Sequence, residues 1–194
     1  MNSSRNTVIR TLHDVGAAAW FGGSLMGAIG LNGATKDVSD PTERAAVASS
    51  GWARWSPLAA TAIAAHAIGG IGLIVANRDR VSQQSGVGAN TAVKTVVTVA
   101  AVATTAASGL LGARLAKDAK DAPVPTEGGT VPTATTPPRT AKLQQALRVL
   151  QWVNPVLTGA IVALGAQQGE QQKAGQVFAG KARQTLGGAI SALR

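Results

Sequence analysis

Four long intervals without a charged side chain constrain this sequence more than any other feature. Val15–Thr35 runs for 21 residues, Trp55–Asn77 for 23, Thr95–Ala113 for 19 and Val149–Gly169 for 21. An α-helix rises about 1.5 Å per residue, so about 20 apolar residues cross a hydrocarbon core of roughly 30 Å. Every interval meets that length. Helices of a water-soluble bundle carry charge along one face, and these intervals have no such face. The sequence therefore predicts an all-α fold, a four-helix transmembrane bundle. The competing reading is a soluble, fully buried alanine-rich bundle, because the segments are built from Ala, Gly, Val and Thr and the mean hydropathy is only +0.15. Weakly apolar helices favour protein neighbours over lipid, so tight packing or a partner subunit follows.

The intervals divide the chain. Residues 1–10 read as a polar tail, 11–113 as spans one to three, 114–142 as a flexible loop, 143–168 as span four and 169–194 as a basic tail. Asn32 and Gly33 read as the stop of span one. Asp40-Pro41-Thr42-Glu43 has the order of a capping box, which predicts a short capped helix before span two. Pro57 then suits the first turn of span two. Ser82–Asn90 reads as a flexible turn. The stretch 116–140 holds five of the eight prolines and reads as a mobile, disordered Pro/Thr loop. Pro155 should kink span four. Leu186, Ile190 and Leu193 have the spacing of a short surface helix.

The chain has no cysteine, which excludes disulfides, zinc–thiolate sites and thiol nucleophiles. Its net charge of +9 sits in loops and tails, with only Lys94 near a helix end inside a span. That suits anionic lipid headgroups, and no basic stripe with interleaved aromatics points to nucleic acid. Four spans place both termini on one face. Lysine and arginine are balanced across the two faces, nine on each. Three features tip the choice. Two arginines and no acidic residue precede the first span, six of the nine acidic residues lie in the loops opposite the termini, and the long Pro/Thr loop suits an outward face. The expectation is cytoplasmic termini in a multi-pass plasma-membrane protein. Trp52, Trp55 and Trp152 fall at the starts of spans two and four, on the same face, and form a membrane-interface belt.

Small residues define the packing faces. Gly16, Gly23, Gly27 and Gly30, with Ala19, share one face of span one. Ser108 and Gly112 share one with several threonines on span three. Gly69 and Gly70 flank His66 on span two. Such faces let backbones approach within a bundle or receive a partner helix. His66 is an ionisable group in mid-span, so it should point inward. It is either a neutral histidine bonded to a neighbouring threonine or carbonyl, or a ligand of haem or metal. His13 lies near the start of span one, and depth counting separates it from His66 by roughly 10 Å. That separation speaks against both binding one haem unless span one starts earlier. Asn154, beside Pro155, could satisfy the carbonyl that the kink frees. No glycine-rich phosphate loop and no acidic residue deep in a span suggests an enzyme.

The run Leu12–Gly27, LHDVGAAAWFGGSLMG, resembles the first span of bacterial copper-resistance D-type and haem-binding membrane proteins, in which such a histidine binds haem or metal. That resemblance implicates His13. The same run, with SDPTERAAVASSGWARWSP and VLQWVNPVLTGAIVALGAQQGEQQ, is similar to a family of uncharacterised actinobacterial membrane proteins, which implies no activity. The expected function is a non-enzymatic structural or accessory subunit of a cell-envelope membrane assembly, with the bilayer and another membrane protein or a second copy as partners. A haem- or metal-binding redox protein and a small-molecule transporter are the alternatives.

Overall fold

The computed structural model describes residues 3–78 and 85–170. The basic tail and its surface helix lie outside the described residues. Four long helices make the fold: α1 (Ser3–Met26), α2 (Arg44–Ala76), α3 (Ser85–Asp121) and α4 (Pro138–Glu170). A small antiparallel hairpin, β1 (Thr126–Gly128) with β2 (Val131–Pro132), joins α3 to α4. The architecture is an all-α bundle in which α1 packs against α2 and α4, and α3 against α4 and α2.

Three helices, α2, α3 from Gly88 onward and α4 to Gln167, are long and apolar enough to cross a membrane. The first uncharged interval changes helix type along its length. Its α-helical part ends at Met26 and continues as a π-helical turn over Gly27–Leu31, where the Asn32 amide bonds the Gly27 carbonyl. Asn32–Gly33 does not stop the helix. A further turn and a 3-10 segment carry it to Asp37.

Several boundaries differ from the sequence reading for one reason: a helix anchored by tertiary contacts extends past its apolar stretch. The polar tail is helical from Ser3. The expected turn at 82–90 is helical from Ser85. The separate capped helix before span two is absent, because α2 runs unbroken from Arg44 and places Pro57 in its interior. Asp40 makes no helix cap. Its Oδ1 accepts from the Thr42 amide at 2.8 Å and the Thr42 hydroxyl at 2.7 Å, closing a local turn, and these bonds hold its carboxyl below the usual range.

The Pro/Thr segment is a folded cap rather than a disordered loop. The Thr126 amide bonds the Pro41 carbonyl at 3.0 Å, and Arg44 donates to the carbonyls of Val38 and Thr126 at 2.9 and 3.1 Å. The Gly129 amide donates to Thr35 Oγ1 at 2.8 Å, and Gln144 Nε2 donates to the Gly128 and Gly129 carbonyls. Low apolar content gave no sign of this order, because backbone and side-chain hydrogen bonds carry it instead of a hydrophobic core.

The buried face of α1 and the π-helical turn that continues it is His13, Gly16, Ala17, Trp20, Ser24, Gly27 and Ala28, at three- and four-residue spacing. Ala17 and Trp20 meet Ala62 of α2, Ala101 of α3 and Ile161 of α4 in the apolar centre.

Candidate functional site

The interior is polar at three levels, and the level nearest the termini holds the ionisable groups. There α1 and α2 touch through their backbones. A Cβ at Gly16 would lie 2.6 Å from the Ala62 carbonyl oxygen and the His66 nitrogen, and one at Gly69 would lie 2.5 Å from the His13 nitrogen. Two glycines, one from each helix, therefore set the spacing that brings His13 and His66 together. Each ring bonds the other residue's backbone: His13 Nδ1 reaches the His66 carbonyl at 2.9 Å, and His66 Nδ1 reaches the His13 carbonyl at 3.0 Å. The rings stack with centroids 4.0 Å apart and planes 21° from parallel.

A carbonyl oxygen accepts only, so each Nδ1 carries the hydrogen, and in the neutral ring each Nε2 then presents a lone pair. Lys94 Nζ, on α3, donates to His13 Nε2 at 2.8 Å. Its side chain is buried, with 6% exposure, and fits beside Gly165 of α4, where a Cβ would lie 3.2 Å from Nζ. All four helices thus contribute to one cluster: a stacked histidine pair and a buried lysine amine.

The expected depth difference between the two histidines is overturned. α1 begins eight residues before the expected span, and the contacts at Gly16 and Gly69 fix its register so that the rings lie at one level. The geometry still does not let the pair share an iron. Imidazole ligates in its ring plane, and an ion between stacked rings would sit roughly 2 Å out of each plane, as far as a whole metal–nitrogen bond. Lys94 Nζ also occupies His13 Nε2. Among the described residues, no three His, Asp or Glu side chains converge as a metal site.

The middle level joins α4 to α3 and α1. Asn154 Oδ1 accepts from Thr104 at 2.6 Å and from Thr105 at 3.4 Å, and its Nδ2 donates to Ser108 at 3.1 Å. Asn154 therefore binds α3 and not the carbonyl freed by Pro155. The Trp20 indole donates to Thr105 at 3.2 Å, and Ser24 meets Thr158 at 3.5 Å. The third level lies under the hairpin. Asn32 donates to Gln151 Oε1 at 2.7 Å and accepts from the Trp52 indole at 2.9 Å, and Thr130 donates to the same Gln151 oxygen at 3.3 Å.

The small residues divide in their roles. Gly16 and Gly69 meet backbone, and a Cβ at Gly70 would lie 3.1 Å from His13 Nδ1. Gly23 and Gly27 lie under the rings of Trp55 and Trp52 and seat indoles rather than a helix backbone. Gly30 meets only Met26 of its own segment, and Gly112 meets nothing within 4 Å. Trp52 and Trp55 are consequently half-buried against α1, while Trp152 is half-exposed on α4. Sequence reasoning missed Lys94 and Trp20. Lys94 carried a signal, since it is the one charged residue between Arg80 and Arg114. Trp20 carried none, because its burial depends on which way α1 faces.

The fold and interior define an all-α bundle with three helices apolar enough to cross a membrane. No protein family, curated protein or solved structure matches the chain.

Proposed function

We propose that the chain is an integral membrane protein without enzymatic activity, acting as a structural or accessory subunit of a membrane assembly in the cell envelope. One observation supports this above the rest: the distribution of side chains is inverted relative to a soluble bundle. His13, Ser24, Asn32, His66, Lys94, Gln144, Asn154 and Thr158 are buried, while Leu58, Ile68, Ile71, Val96, Val99, Leu110, Val149 and Val156 are exposed. Water would favour the opposite arrangement, and lipid favours this one. In this reading α1, packed along α2 and α4, is the fourth crossing, and both termini are cytoplasmic. The outer face of α3 is the least enclosed of the three apolar helices and is where a partner helix would lie.

Purification of the full chain in mild detergent tests the assembly role. A defined membrane partner or a homo-oligomer is expected, and a strictly monomeric particle with no partner refutes it. Because the chain has no cysteine, a single introduced cysteine at position 2, 40 or 80 is the only thiol. Positions 2 and 80 should react from one side of the membrane and position 40 from the other. Labelling of all three from one side refutes the four-crossing topology.

One observation favours a second reading. His66 Nε2 has no described partner, so this ring could serve as the sole protein ligand of a haem or metal. The absorbance spectrum and metal content of the purified protein decide between the two: a Soret band or stoichiometric metal favours the redox reading.

A further inference from the structure

The outward face of α4 carries a groove whose chemistry changes along the helix. Arg148, Val149, Trp152, Val153, Val156 and Leu157 line it, around a volume of about 530 Å³. Positions 148, 152 and 156 follow at about 6 Å per step. A guanidinium, an indole and an aliphatic surface are therefore met in that order. Trp152 is half-exposed, and Val149 and Val156 are more exposed still.

The depth of this groove in the membrane is fixed by different residues. Gln151, next to Trp152, is tied through Asn32 to the indole of Trp52. Tryptophan favours the boundary between headgroups and hydrocarbon, so this level marks the boundary on the hairpin side. Arg148 lies about one turn to the water side of it, and Val156 lies about one turn into the hydrocarbon. Among the described residues, Arg148 has no hydrogen-bond or ion-pair partner, whereas Arg139, near the start of α4, pairs with Asp118. No carboxylate among the described residues lines the groove.

A phospholipid has the same order of chemistry: phosphodiester, glycerol ester, acyl chain. The planar guanidinium fork matches two phosphate oxygens. The lack of a carboxylate leaves no partner for a headgroup ammonium, which favours a headgroup of net negative charge. We infer that this groove binds one anionic phospholipid, with its phosphodiester on Arg148 and an acyl chain along Trp152, Val153 and Val156. The inference rests on the membrane reading above, and its test separates the two.

The full-length protein, purified in mild detergent, is titrated with phosphatidylglycerol and, separately, with phosphatidylcholine, and bound lipid is counted by native mass spectrometry. The wild type should retain one phosphatidylglycerol in preference to phosphatidylcholine. Arg148→Gln should weaken retention about five-fold, the effect of one arginine at an anionic surface. Val156→Trp, which fills the groove and keeps the charge, should also weaken it. Arg54→Gln, an exposed arginine on α2 outside the groove, should leave it unchanged. Unchanged retention in Arg148→Gln, an equal loss in Arg54→Gln, or full displacement by glycerophosphate, which has no acyl chain, overturns the site. Recovery of the chain in the aqueous fraction without detergent would instead overturn the membrane reading itself.

Discussion

Gly69→Ala is the sharpest test of how the histidine pair is assembled. The added Cβ would lie 2.5 Å from the His13 nitrogen and 2.6 Å from the Ile9 carbonyl oxygen, both backbone atoms of α1. Neither can rotate aside, so the helices must part. Ordinary contact begins at 3.4 Å, so the axes separate by about 0.9 Å, a distance that forfeits much of the contact energy along the seam. The reciprocal histidine–carbonyl bonds of 2.9 and 3.0 Å then stretch to about 3.8 Å, beyond hydrogen-bonding range. Two lost bonds cost about 1 kcal/mol each, and overpacking adds about 1–3 kcal/mol. The better helix propensity of alanine returns about 1 kcal/mol. The net destabilisation is about 2–4 kcal/mol. Gly109→Ala on α3 is the control, because nothing lies within 4 Å of its added Cβ. It should be neutral or more stable by up to about 1 kcal/mol. Unfolding of both variants by SDS in mixed micelles reads the difference. If Gly69→Ala unfolds at the same denaturant fraction as Gly109→Ala, α1 and α2 are not in backbone contact at the histidines, and the account of the cluster is wrong.

Other outcomes follow from the remaining polar contacts. Asn154→Ala removes the side chain that ties α4 to Thr104, Thr105 and Ser108. It should lower stability in the same titration by about 1–2 kcal/mol, and an unchanged midpoint would show that this network does not hold α3 to α4. Thr35→Val keeps the shape but removes the oxygen that accepts the Gly129 amide. Hydrogen exchange at Gly129 should then speed up while that of the α4 core stays slow, and an unaltered Gly129 rate would mean that the hairpin is held elsewhere. The Asp40 carboxyl should titrate below its ordinary value of 3.8, because Thr42 donates two hydrogen bonds to it. Its folded value is depressed, so its contribution is present above pH 3.8 and disappears as the pH falls through the lowered value. Thr42→Ala should move the NMR midpoint of Asp40 back up, and no movement would remove these bonds as the cause.

Much of the architecture was legible in the residue order because charge is so sparse. Three of the uncharged intervals fall on α2, α3 and α4, with only Asn77 beyond the end of its helix, and burial of Ala62, His66 and Gly69 on one face of α2 follows from their three- and four-residue spacing. The cap was not legible. Thr126, Thr130 and Thr136 are buried, yet a Pro/Thr-rich stretch with this composition usually stays open. It folds here because Pro41, Thr35 and Arg44, far away in sequence, and Gln144 of α4 supply its partners. The capping-box motif misled for a related reason: Asp40 found a local partner in Thr42 before the helix began.

The chain's own order of residues decides the class of fold, because apolar length and the absence of charge act within each segment and need no neighbour. It also decides that His66 faces inward, since an imidazole in mid-span has no favourable place in lipid. Which groups meet is a different matter. The pairing of His13 with His66, the seat of Lys94 beside Gly165, and the use of Gly23 and Gly27 for tryptophan rings depend on the relative rotation and height of four helices. Those are set by contacts between segments distant in sequence, and only the assembled bundle contains them.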